Sequence, residues 1–341
     1  MHVQLPATAF ATDAVTTQAI ATLGGDTMGT TWSVKLIAPK RADLHALHAG
    51  IQARLDQVVE QMSTWRDDSD ITRYNRSDAG HWVRIPAAFF NVLTTGLGIA
   101  ADSGGAFDPT VGTLVGLWGF GANARRRGAP DAPSLRDAQA GIGWRRIELD
   151  AAARSVLQTG GIHLDLSAIA KGFGVDHVVA YLREAGITSA LVEVGGELYG
   201  YGRKPDGSTW RVLVEAAPDV DDSEDEPRVI VLDGIAVATS GDHWHHYDVT
   251  DDNDEGGESR RYSHTIDPRN GTPVENTLSA VTVVASDAMH ADAWATALTV
   301  LGIDAGMQLA QHAGLAARFL GVDAYGPCEH MTDAFRAHLA V

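Results

Sequence analysis

Cysteine is nearly missing from this chain: Cys328 is the only one in 341 residues. That excludes an intramolecular disulfide and any multi-cysteine zinc or iron–sulfur centre. Long apolar runs are missing as well, so there is no transmembrane segment of the ~20 residues a helix needs. Neither Lys nor Arg occurs before Lys35, and no apolar core segment precedes it. The start therefore does not read as a signal peptide, nor does it carry a cysteine for a lipid anchor, and the expectation as written is a cytoplasmic protein. Cations are scarce: 26 Lys and Arg stand against 44 Asp and Glu, a net charge of −18. Such a surface excludes nucleic acid or an anionic membrane as partner. Eleven of the acids sit in two runs, Asp219–Glu226 and Asp251–Glu258, which read as solvated loops. There is no Walker-type phosphate loop, no correctly spaced GxGxxG, no GxSxG and no HExxH. A nicotinamide dehydrogenase or a serine hydrolase is thus unsupported.

What is present centres on Gly161–Gly174, GIHLDLSAIAKGFG. His163, Leu164 and Leu166 read as the end of a short buried strand. Ser167 is placed to cap a helix whose apolar positions Ile169, Val175, Val178, Val179 and Leu182 recur at helical spacing. A helix start exposes unpaired N–H groups and the positive end of the dipole, so it favours an anion. Asp165 lies just before that start and Lys171 one turn in. A phosphate ligand explains the lysine, and a metal-bridged diphosphate explains the acid beside it; an ordinary Asp cap is the plainer alternative.

A second helix is expected at Ser286–Gly302, with Ser286 as cap and Ala288, Met289, Trp294, Leu298 and Leu301 buried. Asp292 and Thr296 are four residues apart and share a face. A carboxylate and a hydroxyl on an otherwise apolar helix suit a hard cation such as Mg²⁺. A Thr bonded to its own helix beside an exposed Asp is the structural alternative. His243, His245 and His246 form a third cluster, in which two imidazoles on one strand face make zinc conceivable.

Along the chain, Thr31–Ile37 alternates as a strand, and Leu44, Leu47, Ile51, Leu55, Val58 and Met62 follow a helical period. Pro86 opens another helix that ends near Gly104–Gly105. Short runs at Ser189–Val194, Trp210–Glu215, Arg228–Leu232, Ile235–Thr239, Arg261–Ile266 and Leu278–Ala285 read as strands separated by turns. The final third is expected to return to helices. The fold class is α+β, one domain with a mostly antiparallel sheet and flanking helices. Its limits are residues 24–341, after a loose N-terminal tail at 1–23.

From about Gly24 to its end the chain resembles the FAD:protein FMN transferase (ApbE) family. Six blocks carry the resemblance in family order: MGTTW from Met28, MSTWRDDSDITRYN from Met62, GGAFDPTVGTLVGLWGFG from Gly104, LDLSAIAKGFGVD from Leu164, LVEVGGEL from Leu191, and ATSGD through RYSHTIDPRNGTP to ADAWATAL between Ala238 and Leu298. The resemblance implies an enzyme for which FAD is a substrate. It would move FMN from FAD to a Thr or Ser hydroxyl of an acceptor flavoprotein and release AMP, with Mg²⁺ as cofactor. The implied FAD contacts are Met28, Trp65, Ala106, Phe107, Asp108, Asp165, Lys171 and Ile266. Trp65 departs from the tyrosine common at its position, which keeps an aromatic plane and loses a phenol. The implied metal ligands are the Ala168 carbonyl, Asp292, Ala295 and Thr296. Some relatives have Asp where Ala295 stands, so here only its carbonyl could serve. His264 is the candidate catalytic group, since imidazole titrates near neutrality, and Asp165 either orients it or acts as base itself. Two alternatives share the pocket: a Mg²⁺-dependent FAD pyrophosphatase giving FMN and AMP, and a non-catalytic FAD-binding carrier. Family relatives are often exported lipoproteins, which the cytoplasmic expectation for this sequence does not match.

Overall fold

The computed structural model describes residues 19–122, 128–214, 228–241, 246–249, 260–275, 278–323 and 326–340. Both acidic runs, together with His243 and His245, lie outside the described residues.

An eight-stranded sheet organises the chain. Numbered along it, the strands are β1 (Ile20–Thr27), β2 (Thr30–Ile37), β3 (Ala190–Val194), β4 (Glu197–Tyr201), β5 (Ile235–Gly241), β6 (Leu278–Ala285), β7 (Ala316–Asp323) and β8 (Gly326–Met331). Their spatial order is their chain order, and every neighbouring pair is antiparallel. The sheet is thus one meander with long excursions. The largest excursion, between β2 and β3, holds α1 (Leu44–Met62), α2 (Asp70–Asn75), α3 (Ala87–Asp102), α4 (Gly112–Leu117), α5 (Ala132–Ala140) and α6 (Ser167–Glu184). It also holds a small sheet of Trp82–Arg84, Leu149–Asp150 and Ser155–Leu157. After β6 comes α7 (Ala288–His312), and α8 (Asp333–Arg336) follows β8.

Side-chain alternation assigns the two faces. Ala236 and Ala238 of β5 join Val192, Val194, Val175, Val178 and Ala291 in a core under α1, α6 and α7. Val237 between them points the other way, toward Trp210, Ile230, Leu232 and Phe335. That face is covered by the hairpin of Trp210–Val214 with Arg228–Leu232 and by α8. With both faces covered, β6 has become an almost continuous apolar run, buried at six of its eight positions.

The expected α+β architecture is the observed one, with local differences. β1 takes in Ile20–Leu23, which the sequence pattern assigns to the tail; its residues alternate half-buried and exposed at a sheet edge, so its apolar signal is faint. Helix starts are capped by neighbours of the expected serines. Ser167 is already helical, and its N–H donates to the Asp165 carboxylate at 2.8 Å. Asp287, not Ser286, caps α7 by accepting the His290 N–H at 2.9 Å. The final third contains β7 and β8 where the sequence pattern suggests helices; the Ala-rich start of AARFLGVD masks a strand that buries Phe319 and Leu320. α7 breaks at Gly302, whose φ of 76° and ψ of −178° leave helical space, at the residue where the sequence places the helix end.

Candidate functional site

Two hairpin turns and two helices meet at one end of the sheet. The β1–β2 turn consists of Met28 and Gly29, both at positive φ (49° and 73°). Gly is at ease there, while a non-glycine residue held left-handed marks local strain of the kind found at functional sites. Met28 reaches α6: a Cβ added to Gly174 would sit 3.1 Å from its Cε. The β3–β4 turn is Gly195–Gly196, and a Cβ on Gly195 would meet Thr30 at 2.8 Å and the Lys171 Cδ at 3.4 Å. Glycine there leaves the room that the lysine stem occupies.

Lys171 runs between two carboxylates. Its ammonium is hydrogen-bonded to Glu197 Oε1 and stands 3.7 Å from Asp292 Oδ1. Both acids are buried, at 2% exposure each, while 31% of the lysine side chain remains open. Burial by itself would lower the lysine pKa, and the Asp292 and Glu197 charges outweigh it and hold the ammonium above its ordinary range. Burial pushes Glu197 up, against the pull of Lys171. Glu197 Oε2 is buried with no hydrogen-bond partner among the described residues.

The helices bring Asp292 to that lysine through a close crossing. The Gly172 N–H donates to Asp292 Oδ2 at 3.0 Å. A Cβ on Gly172 would lie 2.2 Å from the Ala288 carbonyl oxygen, so only glycine fits. Asp176, one turn further along α6, accepts from the Ala288 N–H (2.8 Å) and the Met289 N–H (2.9 Å). Hence Gly172 and Asp176 on α6 face Asp292 and Ala288 on α7 in antiparallel register. Thr296 shares a hydrogen bond of 3.1 Å with Ser240 on β5.

The donors fit a hard cation. Asp292 is a buried carboxylate with an open oxygen on the lysine side, and a dication beside it would meet that charge. Among the described residues no three His, Cys, Asp or Glu side chains converge as metal ligands. A cation held here would draw on one carboxylate, one hydroxyl and carbonyls. The Ala295 carbonyl accepts the Thr299 hydroxyl at 2.9 Å in addition to its helical N–H bond, so a cation would compete for that oxygen.

The other expected flavin contacts differ in exposure and partners. Trp65 is 70% exposed on the α1–α2 loop, where an indole face is free for stacking. Ala106, Phe107 and Asp108 are buried. Asp108 Oδ1 accepts from the Thr110 N–H and hydroxyl, and Oδ2 from the Trp144 N–H, so this carboxylate shapes its own loop. Asp165 is bonded to the Ser167 N–H, and it is not hydrogen-bonded to His264. Ile266 is buried with Leu114, Trp118 and Tyr262.

His264 follows the strand Arg260–Ser263 and presents its ring edge-on to Phe120, centroids 6.5 Å apart. The turn after it is held firmly. The Trp118 indole N–H donates to the Gly271 carbonyl at 2.8 Å, and Asp267 pairs with Arg269. Arg269 also reaches the Val300 carbonyl at 3.4 Å, one turn beyond Thr296 on α7. His264 thus lies three residues before a turn docked on the helix that carries Asp292 and Thr296. Glu197 and Asp176 join the site without having stood out in the sequence; the Gly-Gly turn before Glu197 is the only local signal.

Comparison with known proteins places the chain in a family. A Klebsiella pneumoniae protein named FAD:protein FMN transferase is 34% identical over 93% of this chain and 89% of its own length. A Vibrio cholerae protein of the same name is 37% identical over 85% of this chain and 84% of its own. The apo crystal structure of the Pseudomonas stutzeri flavinyl transferase ApbE superposes with a TM-score of 0.84 at 37% identity, covering 95% of this chain and 98% of that one. The class is settled by these likenesses: the chain is a transferase. The ApbE family model matches residues 28–319, and the chain belongs to the ApbE family.

Proposed function

We propose that the enzyme transfers FMN from FAD to a Thr or Ser hydroxyl of an acceptor flavoprotein and releases AMP. The observation that carries this reading is the Lys171–Glu197–Asp292 cluster at the α6–α7 crossing, in a chain that otherwise bears a strong negative charge. Such a centre suits a diphosphate with a divalent cation.

Mg²⁺ would be held by Asp292, Thr296 and the Ala168 and Ala295 carbonyls, and would supply positive charge to a bound diphosphate. Lys171, oriented by Glu197, supplies a fixed positive charge to the diphosphate. Trp65 stacks on a ring of the flavin dinucleotide and Met28 closes the wall beside α6. The acceptor hydroxyl attacks the phosphorus of the FMN half; its proton leaves to His264, and AMP departs with the electrons of the broken bond. Positioning and charge neutralisation supply most of the acceleration in phosphoryl chemistry of this kind.

The test is chromatography of FAD incubated with the enzyme, Mg²⁺ and an acceptor protein. AMP without matching free FMN supports the transfer. AMP with equimolar free FMN indicates the pyrophosphatase, and intact FAD indicates the carrier.

A further inference from the structure

The N-terminus of α7 has more carboxylate than it needs. Asp287 already accepts the His290 N–H at 2.9 Å, an ordinary cap from the helix's own chain. Asp176 adds a second carboxylate from α6, 112 residues away, and takes the Ala288 and Met289 N–H groups on its two oxygens. Burial pushes this carboxyl up to about 7, so its placement is costly for a mere duplicate cap.

We infer that Asp176 is a positioning residue: by gripping two successive N–H groups of α7 it sets the register of α7 on α6, and so brings Asp292 to Lys171 and the Gly172 N–H. The inference rests on the metal–diphosphate reading above. Two bonds to adjacent donors fix rotation as well as translation. A slip of one residue would move Asp292 by about 1.5 Å along the axis and turn it by roughly 100°. That would take its carboxylate off the Gly172 N–H and out of the cation site. Gly172 cannot hold the register alone, because it only permits the close approach and offers a single donor.

The test is a titration of the metal-free protein with Mn²⁺, followed by the electron paramagnetic resonance signal of the free ion, together with thermal denaturation. Asp176→Asn keeps one acceptor and sets an NH₂ against an N–H; Asp176→Glu keeps both oxygens on a longer stem. Asp287→Ala is the control, since it removes a cap of the same helix end without touching the tie to α6. The Mn²⁺ dissociation constant is expected to rise at least tenfold in Asp176→Asn and several-fold in Asp176→Glu. In Asp287→Ala it should stay within twofold even though Tm falls. Wild-type affinity in either folded Asp176 variant, or equal weakening in Asp287→Ala, overturns the inference. A wild-type protein whose Mn²⁺ binding is absent, or survives Asp292→Ala, overturns the metal reading itself and this role with it.

Discussion

Replacing Gly172 by Ala and Gly98 by Ala makes the same chemical change in two helices with opposite expected signs. At Gly172 the new methyl would stand 2.2 Å from the Ala288 carbonyl oxygen and 2.6 Å from its carbon. Carbon–oxygen contacts settle near 3.3–3.6 Å, so α6 and α7 must part by about 1 Å. Overpacking of this kind costs about 1–3 kcal/mol, and loosening the charged Gly172–Asp292 bond adds about 1.5–3 kcal/mol. The helix-propensity gain of Gly to Ala returns only about 1 kcal/mol. Net destabilisation should therefore be about 1.5–5 kcal/mol. Gly98 is exposed on α3 with nothing within 4 Å of an added methyl, so the same substitution should stabilise by up to about 1 kcal/mol. Urea denaturation measures both. Turnover should drop in Gly172→Ala by about 10²-fold, since a shift of 1 Å in a reacting site has that effect, and stay unchanged in Gly98→Ala. A Gly172→Ala protein with native stability and native AMP release would refute the crossing as the organiser of the site.

Three further outcomes are expected. Asp292→Ala should depress turnover strongly at limiting Mg²⁺ while the protein stays folded, and Thr296→Ala should do less, because a neutral oxygen holds a dication less firmly; steady-state rates against Mg²⁺ check both. Lys171→Ala should weaken FAD binding and slow transfer together, whereas His264→Ala should leave FAD affinity within a few-fold and lower turnover by roughly 10²–10⁴; a flavin fluorescence titration and an AMP assay separate the two. The Asp287–His290 pair gives a pH signature. Burial would raise Asp287, but its bonds to His290 outweigh that and hold it low, so its contribution is present above the ordinary carboxylate pKa and fades as pH falls. The bond to Asp287 raises His290, so its contribution is full below about pH 6.5 and is lost as pH rises through the raised value. The Tm difference between wild type and His290→Ala should peak between about pH 4 and 6.5 and shrink as pH rises through the raised His290 value; a flat difference would count against the pair.

Much of the fold is legible because its signals are local. Arg228–Leu232 and Leu278–Ala285 coincide with observed strands, and the period from Leu44 to Met62 coincides with α1. The caps are shifted by one or two residues, because Ser and Asp have similar capping preference and stand close together at both helix starts. The shared face of Asp292 and Thr296 follows from helix geometry and needs no partner. Glu197 and Asp176 are not legible: each acts on a group far along the chain, Lys171 in one case and the Ala288 and Met289 amides in the other. Asp108 shows the opposite limit, since a motif position does not reveal that both of its oxygens are spent on its own loop.

The central claim is tested most directly by the intact mass of an acceptor protein after incubation with FAD, Mg²⁺ and this enzyme. The account expects the acceptor to gain one FMN less one water on a single Thr or Ser, with one AMP released per adduct and neither product formed by Asp292→Ala. An acceptor of unchanged mass, beside AMP and free FMN in equal amounts, would contradict it.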